Sequence, residues 1–264
     1  MKARNRPPRL EPAARADAAP SEPTLEQRML QARIAGRGTV GPTELRHLVE
    51  RAPADAMAPG VGTDAVWAAV HRVFGARPER AEILPDRVIA AACVAGARVH
   101  EAARRGERIV FATAVPATLL PLHLWLAERA RSAGASLGDG ADIGPLRVDG
   151  RTPRWLRFLD GVAVVTDGHS LLAVNGPEAP DELLFRVGRA SLVVADGPFA
   201  AAARACGVEV VAFAGLERCG LAVPDPRRAP CTVVPVHPGR PPGAYELLRD
   251  PLGGAATGSA SGEM

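Results

Sequence analysis

The stretch SLVVADGPFAAAARACGVEVVAFA, residues 191–214, decides the fold. Ser191–Ala195 and Glu209–Ala214 read as strands, with Leu192–Val194 and Val210–Phe213 apolar at successive positions, and the alanine-rich Pro198–Cys206 between them favours helix. Strands apolar at every position are covered on both faces, as in a parallel sheet; half-exposed antiparallel strands alternate. Strand, helix and strand joined by short connections read as a crossover unit. Downstream, Thr232–Val236 is a further strand and Tyr245–Leu248 a last helical turn.

Upstream, Ile109–Ala112 is a short apolar strand, followed by a helix over Ala117–Ala133. With Thr118 as N-cap, Pro121 falls in the first turn, where a missing N–H costs little. Trp155–Leu159 reads as a strand, and Gly161–Val174 holds two apolar runs around Asp167-Gly168, a hairpin signal. Glu182–Val187 reads as a helix. Residues 25–106 are helical throughout: Leu25–Ile34, Glu44–Arg51 after Thr43, Asp64–Phe74 capped by Thr63, and Asp86–Arg105. In the last of these, Val88, Ile89, Ala92, Cys93, Gly96 and Val99 recur at three- and four-residue spacing and mark a buried face.

The expected fold class is therefore α/β: a Rossmann-like three-layer core with a mainly parallel sheet over 107–249, a β-hairpin insertion, and a helical N-terminal cap over 25–106. Residues 1–24 and 250–264 are rich in Pro, Ala, Gly and polar residues with little to bury, and are expected as disordered tails. A net charge of +3 over 264 residues gives no reason to expect nucleic acid, since a nucleic-acid-binding domain usually shows a clustered basic face. No apolar run approaches the ~18–20 residues that span a bilayer, and no hydrophobic segment follows the basic N-terminus. The expected setting is the cytoplasm, with no membrane partner. Cys93, Cys206, Cys219 and Cys231 lie far apart with no CxxC pair, so they read as thiols and not as a zinc site.

Open α/β sheets bind ligands outside the carboxyl ends of their strands, which selects three turns. Thr113-Ala114-Val115-Pro116 offers a hydroxyl and N–H groups ahead of a helix, suited to a phosphate or carboxylate, but it has no glycine to wrap an anion. Asp196-Gly197-Pro198 sets an acid at a strand end. Asp196 reads either as a catalytic or metal-binding group or as the N-cap of the next helix. Gly215-Leu216-Glu217-Arg218 offers Glu217 to the same crevice. Asn175, beyond the hairpin, is a substrate-orienting candidate or plain turn chemistry, and Asp225 is a second candidate metal ligand. His47, His71, His100 and His123 lie on helices, where surface roles are commoner; His169 sits at the hairpin tip, and His237 follows the last strand on the crevice side. No G-x-S-x-G or post-strand G-x-G-x-x-G occurs.

The runs ARRGERIVFATAVPATLL, FLDGVAVV and ASLVVADGPFAAAARACGVEVVAFA, with TVVPV and Tyr245 downstream, resemble a family of uncharacterised actinobacterial proteins usually labelled phosphatase. The helical lead-in LQARIAGRGTVGPTELRHLVERAP also looks like theirs, so the resemblance covers roughly residues 28–249. It implies a hydrolase of a small phosphorylated metabolite, with Thr113 holding phosphate, Asn175 and Glu217 contacting substrate, and Asp196 serving a proton or, with Asp225, a divalent metal. The departures fall at the turns. Relatives' Thr-Gly-His-Pro corresponds to Thr113–Pro116 without the histidine, and their His-Thr-His-Ser to Ala173–Gly176 without either imidazole. Their Asp-His-Gly keeps only Asp196. In the loop Gly215–Arg228 most of their carboxylates are gone, and Arg218, Arg227 and Arg228 appear. Three roles follow: an active hydrolase, a catalytically degenerate metabolite-binding protein, and a partner subunit in a homo- or hetero-oligomer.

Overall fold

The computed structural model describes residues 22–55, 61–138, 143–146, 153–225 and 227–254. The chain is mixed α/β. Its helices are α1 (Leu25–Gln31), α2 (Pro42–Asp55), α3 (Thr63–Phe74), α4 (Pro85–Arg104), α5 (Pro116–Ser132), α6 (Glu178–Val187), α7 (Gly197–Ala205) and α8 (Arg249–Leu252), with 3-10 turns at Leu216–Ala222 and Pro242–Leu248. The strands are β1 (Gly36–Arg37), β2 (Glu82–Ile83), β3 (Arg108–Ala112), β4 (Ser136–Leu137), β5 (Ile143–Leu146), β6 (Arg154–Leu159), β7 (Val162–Thr166), β8 (Leu171–Leu172), β9 (Leu192–Asp196), β10 (Glu209–Ala214) and β11 (Cys231–Pro235).

The large sheet runs β11-β10-β9-β3-β7-β6-β5, with β4 beside β3 and β8 beside β7. Strands β7, β3, β9, β10 and β11 are mutually parallel, and β5 and β6 complete the edge antiparallel. Counted in chain order, the parallel strands lie 2-1-3-4-5, and their order reverses between β3 and β9. All five residues of β7 and of β9 are buried, as the unbroken apolar runs require. Helices α4 and α5 pack together against β11, β3 and β7; α6 and α7 pack together, with α7 on β9 and β10. One apolar cluster, from Met29 to Leu252, ties these layers to α2 and α3. The helical region expected as a cap thus supplies, through α4, a layer of the sandwich itself.

Several local expectations shift. The dominant hairpin joins β6 to β7 through Asp160-Gly161, with Leu159 opposite Val162. Both turn residues have positive φ, 46° and 89°, the two-residue turn that Asp-Gly favours. The Asp167-Gly168 hairpin is present but short, pairing only Val165–Thr166 with β8. Helix α5 starts at Pro116 with Val115 as N-cap, so Thr118 lies inside it, donating from Oγ1 to the Val115 carbonyl at 3.0 Å. Pro121 therefore stands in the second turn, not the first. Residues 1–21 and 255–264 of the expected tails lie outside the described residues; α1 begins at Leu25, capped by Thr24. Asp250 begins no tail: Arg249–Leu252 is helical, with Pro251 and Leu252 buried. No described helix is long and apolar enough to cross a membrane.

Candidate functional site

Strands β3 and β9 pair in register, Ala112 beside Ala195, so the residues that follow, Thr113 and Asp196, emerge side by side where the strand order reverses. Asp196 occupies the N-cap position of α7 with extended backbone, yet its side chain makes no capping bond to that helix. It crosses to the β3–α5 turn instead. Thr113 Oγ1 donates to Asp196 Oδ2 at 2.5 Å, and the Ala114 N–H donates to Oδ1 at 2.8 Å. The Val115 N–H donates to Thr113 Oγ1 at 3.2 Å. Gly197, at φ 51°, lets the chain turn tightly here; a Cβ on it would sit 3.1 Å from the Ala114 Cβ. Thr113 is fully buried and Asp196 is 3% exposed.

His123 completes this cluster. It is fully buried on α5, its Nε2 lies 3.4 Å from Asp196 Oδ2, and its ring meets Phe213 edge-on at 5.4 Å between centroids. Neither ring nitrogen has a hydrogen-bond partner among the described residues. The helix-surface expectation for His123 is thus overturned. Its signal was in the sequence: Leu119, Leu122, Leu126, Ala127 and Ala130 recur at helical spacing around it, all buried.

Other expected residues scatter. Val174 donates its N–H to the Ala114 carbonyl at 2.9 Å, which brings Asn175 to the same turn, but Asn175 itself is exposed. Glu217 follows β10; its Oε1 accepts from the Gly215 N–H at 3.2 Å, and desolvation raises its carboxyl pKa although the residue has an exposed edge. The Tyr245 hydroxyl pKa is raised, first by burial and further by the negative charges of Asp196 and Glu217. Asp225 lies elsewhere. It pairs with Arg228 at 3.2 Å in a hollow with Pro230 and Cys231, at the amino end of β11, whereas Asp196 ends β9 at its carboxyl side. His237 is 6% exposed with Nε2 2.8 Å from the Gly36 carbonyl, so it faces β1 and not a crevice.

The residues present do not fit a divalent metal. A zinc site takes three or four protein ligands and a calcium site a rich oxygen shell, and even Mg²⁺ needs carboxylate oxygens open to its waters. Both Asp196 oxygens, by contrast, are engaged inside the protein at 3% exposure. Asp196 and His123 provide two donors at one point, Asp225 sits at the other end of the sheet, and no group of three or more His, Cys, Asp or Glu among the described residues could hold an ion.

Residues 20–256 match the family model described as Phosphatase. The chain belongs to the Phosphatase family. No curated protein and no solved structure matches it. Within this member of the Phosphatase family, the strand-end cluster of Thr113, His123 and Asp196 is the polar centre nearest the reversal of the sheet, and it is closed on itself. It does not present an open cradle to an anion.

Proposed function

We propose that this chain is a phosphatase-like protein of small phosphorylated metabolites that keeps a Rossmann-like fold and has given up hydrolysis, binding its ligand without turning it over. One observation carries the reading: both oxygens of Asp196 are engaged inside the protein, by Thr113 Oγ1 and the Ala114 N–H, at 3% exposure. A turn that could grip phosphate with its N–H groups is already gripping a carboxylate. The Ala114 N–H is taken by Asp196, the Val115 N–H by Thr113, and Pro116 has none. An incoming phosphate would meet negative charge and no free donors there. A general acid or base must also reach the group it serves within hydrogen-bonding distance, and Asp196 faces inward.

A second reading, an active hydrolase, is favoured by His123. A buried imidazole with two unpartnered nitrogens beside a carboxylate resembles an acid–base pair. Turnover of a phosphate-ester panel, with and without added Mg²⁺ or Mn²⁺, separates the two. The proposal expects no release of phosphate above the buffer rate. Turnover that disappears in a folded Asp196→Asn variant would establish the hydrolase and sink the proposal.

A further inference from the structure

Two adjoining hollows, of about 310 and 440 Å³, flank the 216–222 turns and share Arg204, Leu221 and Arg228 as a common wall. Arg218 lines the first and Arg72 the second; against these four guanidinium groups stand Glu217 and Asp225. The lining therefore has an excess of two positive charges. Most of these charges have a defined task. Arg204, 5% exposed, donates to the carbonyls of Gly220 at 3.0 Å and Leu221 at 2.9 Å, and to that of Val223, so it fastens the 3-10 turns to α7. Arg228 pairs with Asp225. Glu217 turns back to the Gly215 N–H. Arg218, half-buried in the first hollow, donates its backbone N–H to the Gly215 carbonyl at 3.0 Å, but its guanidinium forms no hydrogen bond or salt bridge among the described residues.

We infer that the first hollow is a binding site for the phosphoryl group of a small metabolite, gripped by Arg218 within the positive field of Arg204 and Arg228. A guanidinium presents paired N–H donors that match two oxygens of a phosphate, and charge-assisted bonds of this kind are the strong ones. A dianion also matches the excess charge of the lining, which a single carboxylate does not. Glu217 sets the selectivity: its carboxylate borders the site and opposes an anion while ionised. The inference names the ligand-holding residues for the binding half of the function proposed above, and it uses none of the Thr113–Asp196–His123 cluster.

Isothermal titration of the full chain with inorganic phosphate and with ribose 5-phosphate, at ionic strength held constant with chloride, tests it. Saturable one-site binding is expected, weakened about tenfold in Arg218→Ala, the loss of one charge-assisted contact, and tightened in Glu217→Gln. Binding of both probes identifies a metabolite's phosphoryl group as the ligand. Binding of inorganic phosphate alone keeps the site but assigns it the free ion. No saturable binding of either, or affinities unchanged in both variants, overturns the inference. Inorganic phosphate cannot be hydrolysed, so discovery of turnover at Asp196 would remove the degenerate reading and leave this result standing.

Discussion

Asp196 shows how a carboxylate at a strand's carboxyl end, expected there as a catalytic or metal-binding group, can act as structure. Its two oxygens satisfy the Thr113 hydroxyl and the Ala114 N–H, both buried groups that would otherwise lack an acceptor. A hydrogen bond to a charged group contributes roughly 1.5–3 kcal/mol, and a buried donor left unmade costs about 1–3 kcal/mol. Asp196→Ala is therefore expected to lower stability by about 3 kcal/mol in urea denaturation, and Thr113→Val by about 1 kcal/mol. A loss below about 1 kcal/mol for Asp196→Ala would show that the carboxylate is held ready for a ligand and not for the fold. At this scale the sequence exposes residue types and strand ends, which is why Thr113 and Asp196 could be picked out. It does not expose pairing register, so their mutual bond and the contact with His123 had to wait for the folded chain.

Elements whose making is local were legible, and elements made by distant contacts were not. The apolar runs of β3, β9, β10 and β11 and most of the buried stripe of α4 follow from composition and period and lie within a residue or two of their expected bounds, although Cys93, counted in that stripe, is exposed. The two-residue strands β1, β2 and β4 have no such signature; they exist because pairing partners reach them. Helix α8 is the clearest case. Its sequence reads as the start of a tail, but it docks on α4 at Gly96, where an added Cβ would lie 2.2 Å from the Leu252 carbonyl oxygen. Gly96→Ala should gain roughly 1 kcal/mol of helix propensity and lose more through overpacking, about 1–3 kcal/mol, because the obstruction is backbone. The expected outcome is a lower Tm together with faster tryptic cleavage after Arg249. A raised Tm with unchanged cleavage would mean that α8 does not depend on this close approach.

Across the whole molecule, the N-terminal segment and the last strand are stapled together over a separation of about two hundred residues. His237 donates its backbone N–H to the Ile34 carbonyl at 3.0 Å, Arg240 Nε donates to the Arg33 carbonyl at 3.0 Å, and the Tyr245 hydroxyl donates to the His237 carbonyl at 2.7 Å. Gly38 passes so close that a Cβ there would lie 2.3 Å from the imidazole. With Nε2 2.8 Å from the Gly36 carbonyl, the ring serves as a neutral donor from Nε2. Desolvation pulls its pKa below the ordinary 6.5, and the nearby Arg240 charge lowers it further against the opposing bond to Gly36. The unfolded chain then binds a proton that the folded chain refuses, so this stabilisation is complete above pH 6.5 and is lost as pH falls toward the lowered folded value. Urea denaturation between pH 5 and 8 should show stability falling on the acid side with a slope of at most about 1.4 kcal/mol per pH unit from this group. In His237→Asn that part of the slope should vanish, while stability at pH 8 drops for want of the ring. Equal acid slopes in the two proteins would place the pH sensitivity in other groups and free the staple from His237.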